Sequence, residues 1–84
     1  MAYLYIIQNN KTRNYIGITK LLPSERLKRH NSGDVWSTHL NRPWRLIYIE
    51  NFSSLSEARK REIEIKSWKG GNAWKKFLAK AAGS

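Results

Sequence analysis

Three sets of side chains in this sequence have the types and the spacing to do chemistry. Tyr5 and Tyr15 lie in two short β-like runs, Tyr3-Leu4-Tyr5-Ile6-Ile7 and Asn14-Tyr15-Ile16-Gly17-Ile18, joined by the polar turn Gln8-Asn9-Asn10-Lys11. A hairpin centred on Asn10 places the two tyrosines directly opposite, with Cβ atoms about 4.5–5.5 Å apart. They then share a sheet face that Gly17 leaves locally bare, a tyrosine-lined patch able to admit a ligand. Arg26 and His30 are four residues apart, hence on one face of a helix, with Arg29 beside them. If that face meets the tyrosines, Arg26 binds a phosphate or stabilises charge developing on it, and His30, with an ordinary pKa near neutrality, shuttles a proton. At about 100° per residue, Glu62 projects between Leu55 and Ala58, on the margin of an apolar helical stripe, whereas Glu57 and Glu64 point away from it. A carboxylate facing inward needs a partner, so Glu62 either pairs with an arginine or holds a divalent cation.

Plainer readings stand beside these. Tyr3, Tyr5, Tyr15 and Tyr48 also suit amphipathic strands with hydroxyls at the rim, and an arginine beside a histidine at helical spacing suits solvated surface. The four Trp and two Phe read as core or rim before they read as a base-stacking platform. No glycine-rich phosphate loop, paired histidine motif or Cys-X-X-Cys occurs, so the common nucleotide and zinc motifs are absent.

The elements that must position these residues follow from punctuation and period. Tyr3 to Ile7 and Asn14 to Thr19 are strands by their β-branched and aromatic content. Pro23 suits the first position of a helix and Glu25 its first turn, and Asn31-Ser32-Gly33 ends it. Asp34 to Pro43 has turn residues and no periodicity, which predicts a surface loop. Trp44 to Glu50 alternates as a third strand. Ser54 or Ser56 caps a helix with apolar positions Leu55, Ala58, Ile65 and Trp68, stopped by Gly70-Gly71. A last helix runs over Ala73 to Ala81, with Ala81-Ala82-Gly83-Ser84 fraying. The expectation is one domain over residues 1–84: a small three-stranded, mostly antiparallel sheet flanked by helices, class α/β or α+β.

Sixteen Lys and Arg against six Asp and Glu give a net charge of +10, the electrostatic footprint of a polyanion binder, so DNA or RNA is the expected partner. These cations run from Lys11 to Lys80 and decorate a folded surface rather than a tail. The absence of cysteine excludes disulfides and thiolate zinc sites. The start Met1-Ala2 enters a strand at once, with no signal-peptide pattern and no apolar run of membrane-spanning length, which reads as a cytoplasmic soluble protein. No helix opposes a clean apolar face to a cationic one, so a membrane-surface role is disfavoured.

Taken in order, Tyr3-Leu4-Tyr5, Tyr15-Ile16-Gly17, Arg26-X-X-X-His30-Asn31, the run from Ser32-Gly33 to Thr38 and Arg42-Pro43-Trp44, and Glu62 in Arg61-Glu62-Ile63-Glu64-Ile65-Lys66 resemble the GIY-YIG nuclease superfamily. The likeness covers nearly the whole chain and is strongest to the small stand-alone members. It implies a single site that hydrolyses DNA phosphodiester bonds, with a role in repair or recombination and, among the options, selectivity for DNA structure. By the same resemblance Tyr5 and Tyr15 line the site, one of them helping to deprotonate the attacking water unless a metal-activated water does so itself. Arg26 holds the scissile phosphate, His30 assists proton transfer or phosphate contact, and Glu62 ligates one Mg²⁺ or Mn²⁺. Gly17, Lys28, Arg29, His39, Arg42, Lys69 and Asn72 are the expected DNA contacts, and a partner protein is one source of specificity. The alternative is a basic nucleic-acid-binding module that kept the fold without efficient cleavage. Two departures bear on this. Tyr3 replaces the first glycine of the family triplet, and the stretch from Gly17 to Arg26 is about one residue longer than usual, so Leu21-Leu22-Pro23 must absorb the excess for Arg26 and His30 to stay aimed.

Overall fold

In the computed structural model, which describes residues 1–83, the tyrosine-bearing runs become strands β1 (Ala2–Asn9) and β2 (Asn14–Thr19). Helix α1 (Pro23–Ser32), a single 3₁₀ turn at His39–Asn41 and strand β3 (Trp44–Phe52) follow, then helices α2 (Leu55–Lys66) and α3 (Asn72–Gly83). The sheet is antiparallel throughout, in the order β2-β1-β3, so β1 is central.

The hairpin register departs from the expected centre at Asn10. The side-chain oxygen of Asn9 accepts from the backbone N–H of Lys11 at 3.0 Å and of Arg13 at 2.9 Å, and the Asn9 N–H donates to the Arg13 carbonyl at 3.0 Å. Together with Thr12 in the left-handed region, φ 61°, these bonds build a wider connection centred on Lys11. Tyr5 therefore opposes Gly17 and Tyr15 opposes Ile7. The tyrosines do share a face, but as diagonal neighbours rather than an opposed pair.

Alternation along β1 sends its residues to two different cores. Leu4 and Ile6 join Ile16 of β2, Ile65 of α2 and Trp74 of α3, with Tyr48, Trp68, Phe77 and Leu78 packed around them. Trp74, Phe77 and Leu78 recur at helical spacing, which is why α3 lays that stripe on the sheet. Tyr5 and Ile7 project from the opposite face, where Trp44, Leu46, Tyr15 and Leu27 of α1 meet them. A bulge between Ile6 and Ile7 in the β1–β3 ladder leaves Ile47 as the extra residue, re-aiming the start of β3 beneath α1.

Helix ends follow local chemistry. Gly33, at φ 90°, forms the left-handed cap of α1. Ser54 caps α2, its hydroxyl accepting from the Glu57 N–H at 3.3 Å. α2 ends at Lys66, earlier than the Gly70-Gly71 stop, and the chain turns through Gly70 at φ 86°. α3 continues through Ala81 to Gly83, where fraying was expected. Ser84 lies outside the described residues.

Candidate active site

Tyr5 is fully buried on the central strand, its ring lying across Gly17. A Cβ built on Gly17 would sit 2.5 Å from the Tyr5 Cζ and hydroxyl oxygen, so only glycine lets the phenol occupy that place. The patch expected to be bare is thus filled by Tyr5 itself, and Gly17 is buried beneath it. From there the Tyr5 hydroxyl reaches Nε2 of His30 at 2.7 Å. His30 has no exposed surface, and its Nδ1 is 2.7 Å from the Thr38 hydroxyl. Tyr15 stacks obliquely on both, 5.0 Å from the His30 ring and 6.4 Å from the Tyr5 ring.

These contacts have sequence causes. Pro23, Leu27 and His30 recur at i, i+4 and i+7, so the stripe that docks α1 on the sheet also buries the imidazole. The connection before α1 turns at Lys20 to Leu22, where the Leu21 N–H donates to the Thr19 hydroxyl at 2.9 Å and Leu21 and Leu22 face solvent. Arg26 and His30 remain aimed at Tyr5.

Donor counting fixes the proton positions. The Arg26 guanidinium acts on the Tyr5 phenol to favour its ionised form, and a guanidinium can only donate. If His30 Nε2 also donated there, the buried phenol proton would have no acceptor. The satisfied arrangement has Tyr5 donating to Nε2, Nδ1–H donating to Thr38, and the Thr38 hydroxyl pointing to the Val35 carbonyl at 3.4 Å. Electrostatics agree. Burial, then the charge of Arg26, lowers the His30 pKa to about 4, leaving it neutral and able to accept a proton. Burial raises the Tyr5 pKa against the opposing effect of Arg26, with smaller upward contributions from Tyr15 and Glu62. The downward shift expected of a tyrosine acting as base is therefore not present in the resting site. The Nε of Arg26 is buried without a hydrogen-bond partner.

Glu62 sits in the buried stripe of α2 with Ala58 and Ile65, deeper than the margin predicted, while Leu55 is half-exposed. Its carboxylate is 3.4 Å from Lys66 Nζ and 3.9 Å from Arg59 Nη1, both longer than the roughly 2.7–2.9 Å of a charge-assisted hydrogen bond. Its partners are thus a lysine and an arginine at long range.

Tyr5, Tyr15, Arg26 and His30 are gathered at one place, with the charge of Glu62 felt at the Tyr5 phenol. Lys28 and Arg29 lie on the exposed side of α1, Lys28 pairing with Glu25 at 3.8 Å. His39 and Arg42 belong to the segment between α1 and β3. Lys69 and Asn72 lie at the junction of α2 and α3, with Lys69 over the Trp74 ring. Thr38 was assigned no role from sequence, nor was Asn31, whose side chain clamps the backbone of Trp44 through bonds of 2.6 and 3.0 Å. The Trp44 indole in turn donates to the Thr38 carbonyl at 2.9 Å. No periodicity marks a buried threonine in an irregular segment. The signal available was its place in the ordered motif set.

The sequence profile of the GIY-YIG catalytic domain matches residues 1–76. UPF0213 proteins of Staphylococcus saprophyticus and Staphylococcus haemolyticus are 36% and 40% identical over 66 and 67 residues, each alignment covering 79% of this chain and 80% of the relative. The solution NMR structure of a UPF0213 protein from Bacillus halodurans superposes with a TM-score of 0.61 at 28% identity, over 99% of this chain and 88% of that one. With the ordered motif residues, the three-stranded sheet and the profile match in agreement, the chain belongs to the GIY-YIG catalytic domain family of nucleases.

Proposed function

We propose that this protein is a divalent-metal-dependent DNA endonuclease. The observation that carries the reading is the buried Tyr5–His30–Thr38 hydrogen-bond chain with an unpartnered guanidinium nitrogen of Arg26 beside it. A half-buried cation with an idle, buried N–H beside a tyrosine and a neutral histidine suits a phosphate that brings its own negative charge.

In this reading Arg26 binds the scissile phosphate and stabilises the charge added as water attacks phosphorus. The water's proton passes to the Tyr5 oxygen while the Tyr5 proton passes to His30 Nε2. The bound phosphate offsets the Arg26 charge, which is one of the two causes of the low His30 pKa, so substrate makes the imidazole more basic as it is needed. Thr38 holds the tautomer that leaves Nε2 open. Tyr15 packs the rings in place.

Glu62 fits a hard divalent cation. Its carboxylate is nearly buried yet met only at long range among the described residues, and these contain no cluster of three or more His, Cys, Asp or Glu. A single carboxylate suits one Mg²⁺ or Mn²⁺ that keeps most of its waters. When bound, such an ion supplies Lewis acidity at a phosphate oxygen. A role in DNA repair or recombination, a single domain over residues 1–84, a cytoplasmic location and a partner protein lending specificity accompany this reading. Among the described residues no helix is long and apolar enough to cross a membrane.

The test is incubation of the purified protein with labelled linear, flapped, branched and single-stranded DNA at low salt, with Mg²⁺, Mn²⁺ or EDTA. Wild type is expected to cut in a metal-dependent manner. Glu62→Ala should stop cutting yet bind DNA in EDTA as well as wild type or better, because an anionic group leaves a phosphate site. Binding without cleavage on every substrate would instead make the chain a basic nucleic-acid-binding module.

A further inference from the structure

The segment between α1 and β3 is anchored on one side and bare on the other. Thr38, 1% exposed, faces inward to His30. Two residues either side of it, the Trp36 and Leu40 side chains are 85% and 84% exposed. Trp44 and Trp74 are buried and Trp68 packs against the core, so Trp36 is the one indole among the described residues given wholly to solvent. It is not loose. The His39 imidazole stacks on it at 4.8 Å with the planes 29° apart, and the His39 ring is itself held by Nδ1–H donating to the Trp36 carbonyl at 2.6 Å.

Cationic side chains line a cleft at Leu40, the residue that follows His39. Leu40 lines a cleft of about 130 Å³ with Asn10, Lys11, Asn41 and Arg42, and the Arg42 guanidinium lies against Gly33 at the end of α1, the helix that carries Arg26 and His30. An exposed flat ring on a segment whose next residues line a cationic cleft fits a partner that offers both anionic groups and π-faces. Acidic protein surfaces supply the first without the second. In a paired duplex the base faces are covered by stacking, so the partner must offer an unpaired base.

We propose that the Trp36–His39 pair is a stacking platform for an unpaired nucleobase beside the scissile phosphate, making DNA with a single-stranded region next to the cut the preferred substrate. This inference rests on the nuclease reading for the position of the cut. Thr38 links the two functions, since the segment whose inner residue sets the His30 tautomer carries the platform on its outer side. Lys11 and Arg42 hold the flanking backbone at the cleft.

The test measures binding in EDTA, where nothing is cut, of wild type, Trp36→Ala and Trp36→Phe to a flapped duplex and to a fully paired duplex of the same sequence. One flap base is replaced by 2-aminopurine as a stacking probe. Wild type should prefer the flap and quench the probe. Trp36→Ala should lose about tenfold on the flap, about 1.4 kcal/mol, with less than about twofold change on the paired duplex, and should no longer quench the probe. A phenyl ring also stacks, so Trp36→Phe should keep most of the affinity. An exposed side chain is not needed for folding, and circular dichroism should coincide for all three proteins. Equal losses on both DNAs, no loss on either, or dissociation of a dimer by Trp36→Ala without change in binding would overturn the proposal. A flap preference lost in Trp36→Ala supports the platform even if wild type never cuts, an outcome that sinks only the nuclease reading. Metal-dependent cutting of all DNA shapes equally by wild type and Trp36→Ala would sink the platform and leave the nuclease.

Discussion

Thr38 decides which nitrogen of His30 carries the proton. Its hydroxyl accepts Nδ1–H at 2.7 Å and passes its own proton toward the Val35 carbonyl, so Nε2 is left as the acceptor for the phenol. Thr38→Val keeps the shape and removes the acceptor. The buried Nδ1–H is then unsatisfied, costing about 1–3 kcal/mol of stability. Cleavage should fall by roughly 10- to 100-fold, as for partners that orient other functional histidines, and Thr38→Ser should restore most of it. A loss of stability without a loss of cleavage per folded molecule would remove Thr38 from the proton path. Tyr5, Arg26, His30 and Glu62 could be named as candidates from the sequence because the ordered motif set joins residues of distinctive chemistry at spacings set by one strand or one helix. Thr38 could not, since its meeting with His30 depends on how an aperiodic segment folds back, held by the bond from the Trp44 indole. The raised pKa of Tyr5 was equally hidden, because burial of the ring beneath α1 outweighs the help of Arg26.

The hairpin shows where pattern stops informing. The limits of β2 and the span of α1 could be read from β-branched content and from Pro23 and Gly33, whereas β1 runs past Ile7 through Gln8 and Asn9, where a turn was expected, and β3 runs past Glu50 to Phe52. Register could not be read, because the Asn9 side chain and the left-handed Thr12 set the turn. The difference matters at Gly17. In a hairpin centred on Asn10 Gly17 would oppose Tyr3, whereas opposite Tyr5 it becomes the floor under the phenol. Gly17→Ala must push the Tyr5 ring away from His30 or bend β2 outward. We expect a stability cost of about 1–3 kcal/mol, as for other overpacked sites, and a larger proportional loss of cleavage, read by comparing denaturant midpoints with single-turnover rates. Unchanged rates would show that the ring has no need of its present position.

His30 connects β1, α1 and the segment before β3, so its protonation is a matter for the molecule as a whole. Its folded pKa, about 4, lies below the ordinary 6.5. As pH falls through 6.5 the unfolded chain takes up a proton that the folded chain refuses, so this contribution is complete above pH 6.5 and is lost progressively down to about 4. At about 1.4 kcal/mol per pKa unit the full effect is about 3.5 kcal/mol. His30→Gln should be less stable at neutral pH yet show a flatter unfolding midpoint across that window, measured by urea titration at several pH values. A parallel decline in both proteins would mean that other groups govern acid lability. The two-sided use of β1 carries a last consequence. Leu4 and Ile6 build one core while Tyr5 and Ile7 build the floor of the other, so slipping the strand by one residue exchanges a greasy side chain for the phenol and ruins both at once. A misregistered molecule cannot survive as a stable but silent species. Either core therefore reports on the other: a chain that has seated Leu4 and Ile6 has also placed Tyr5 over Gly17.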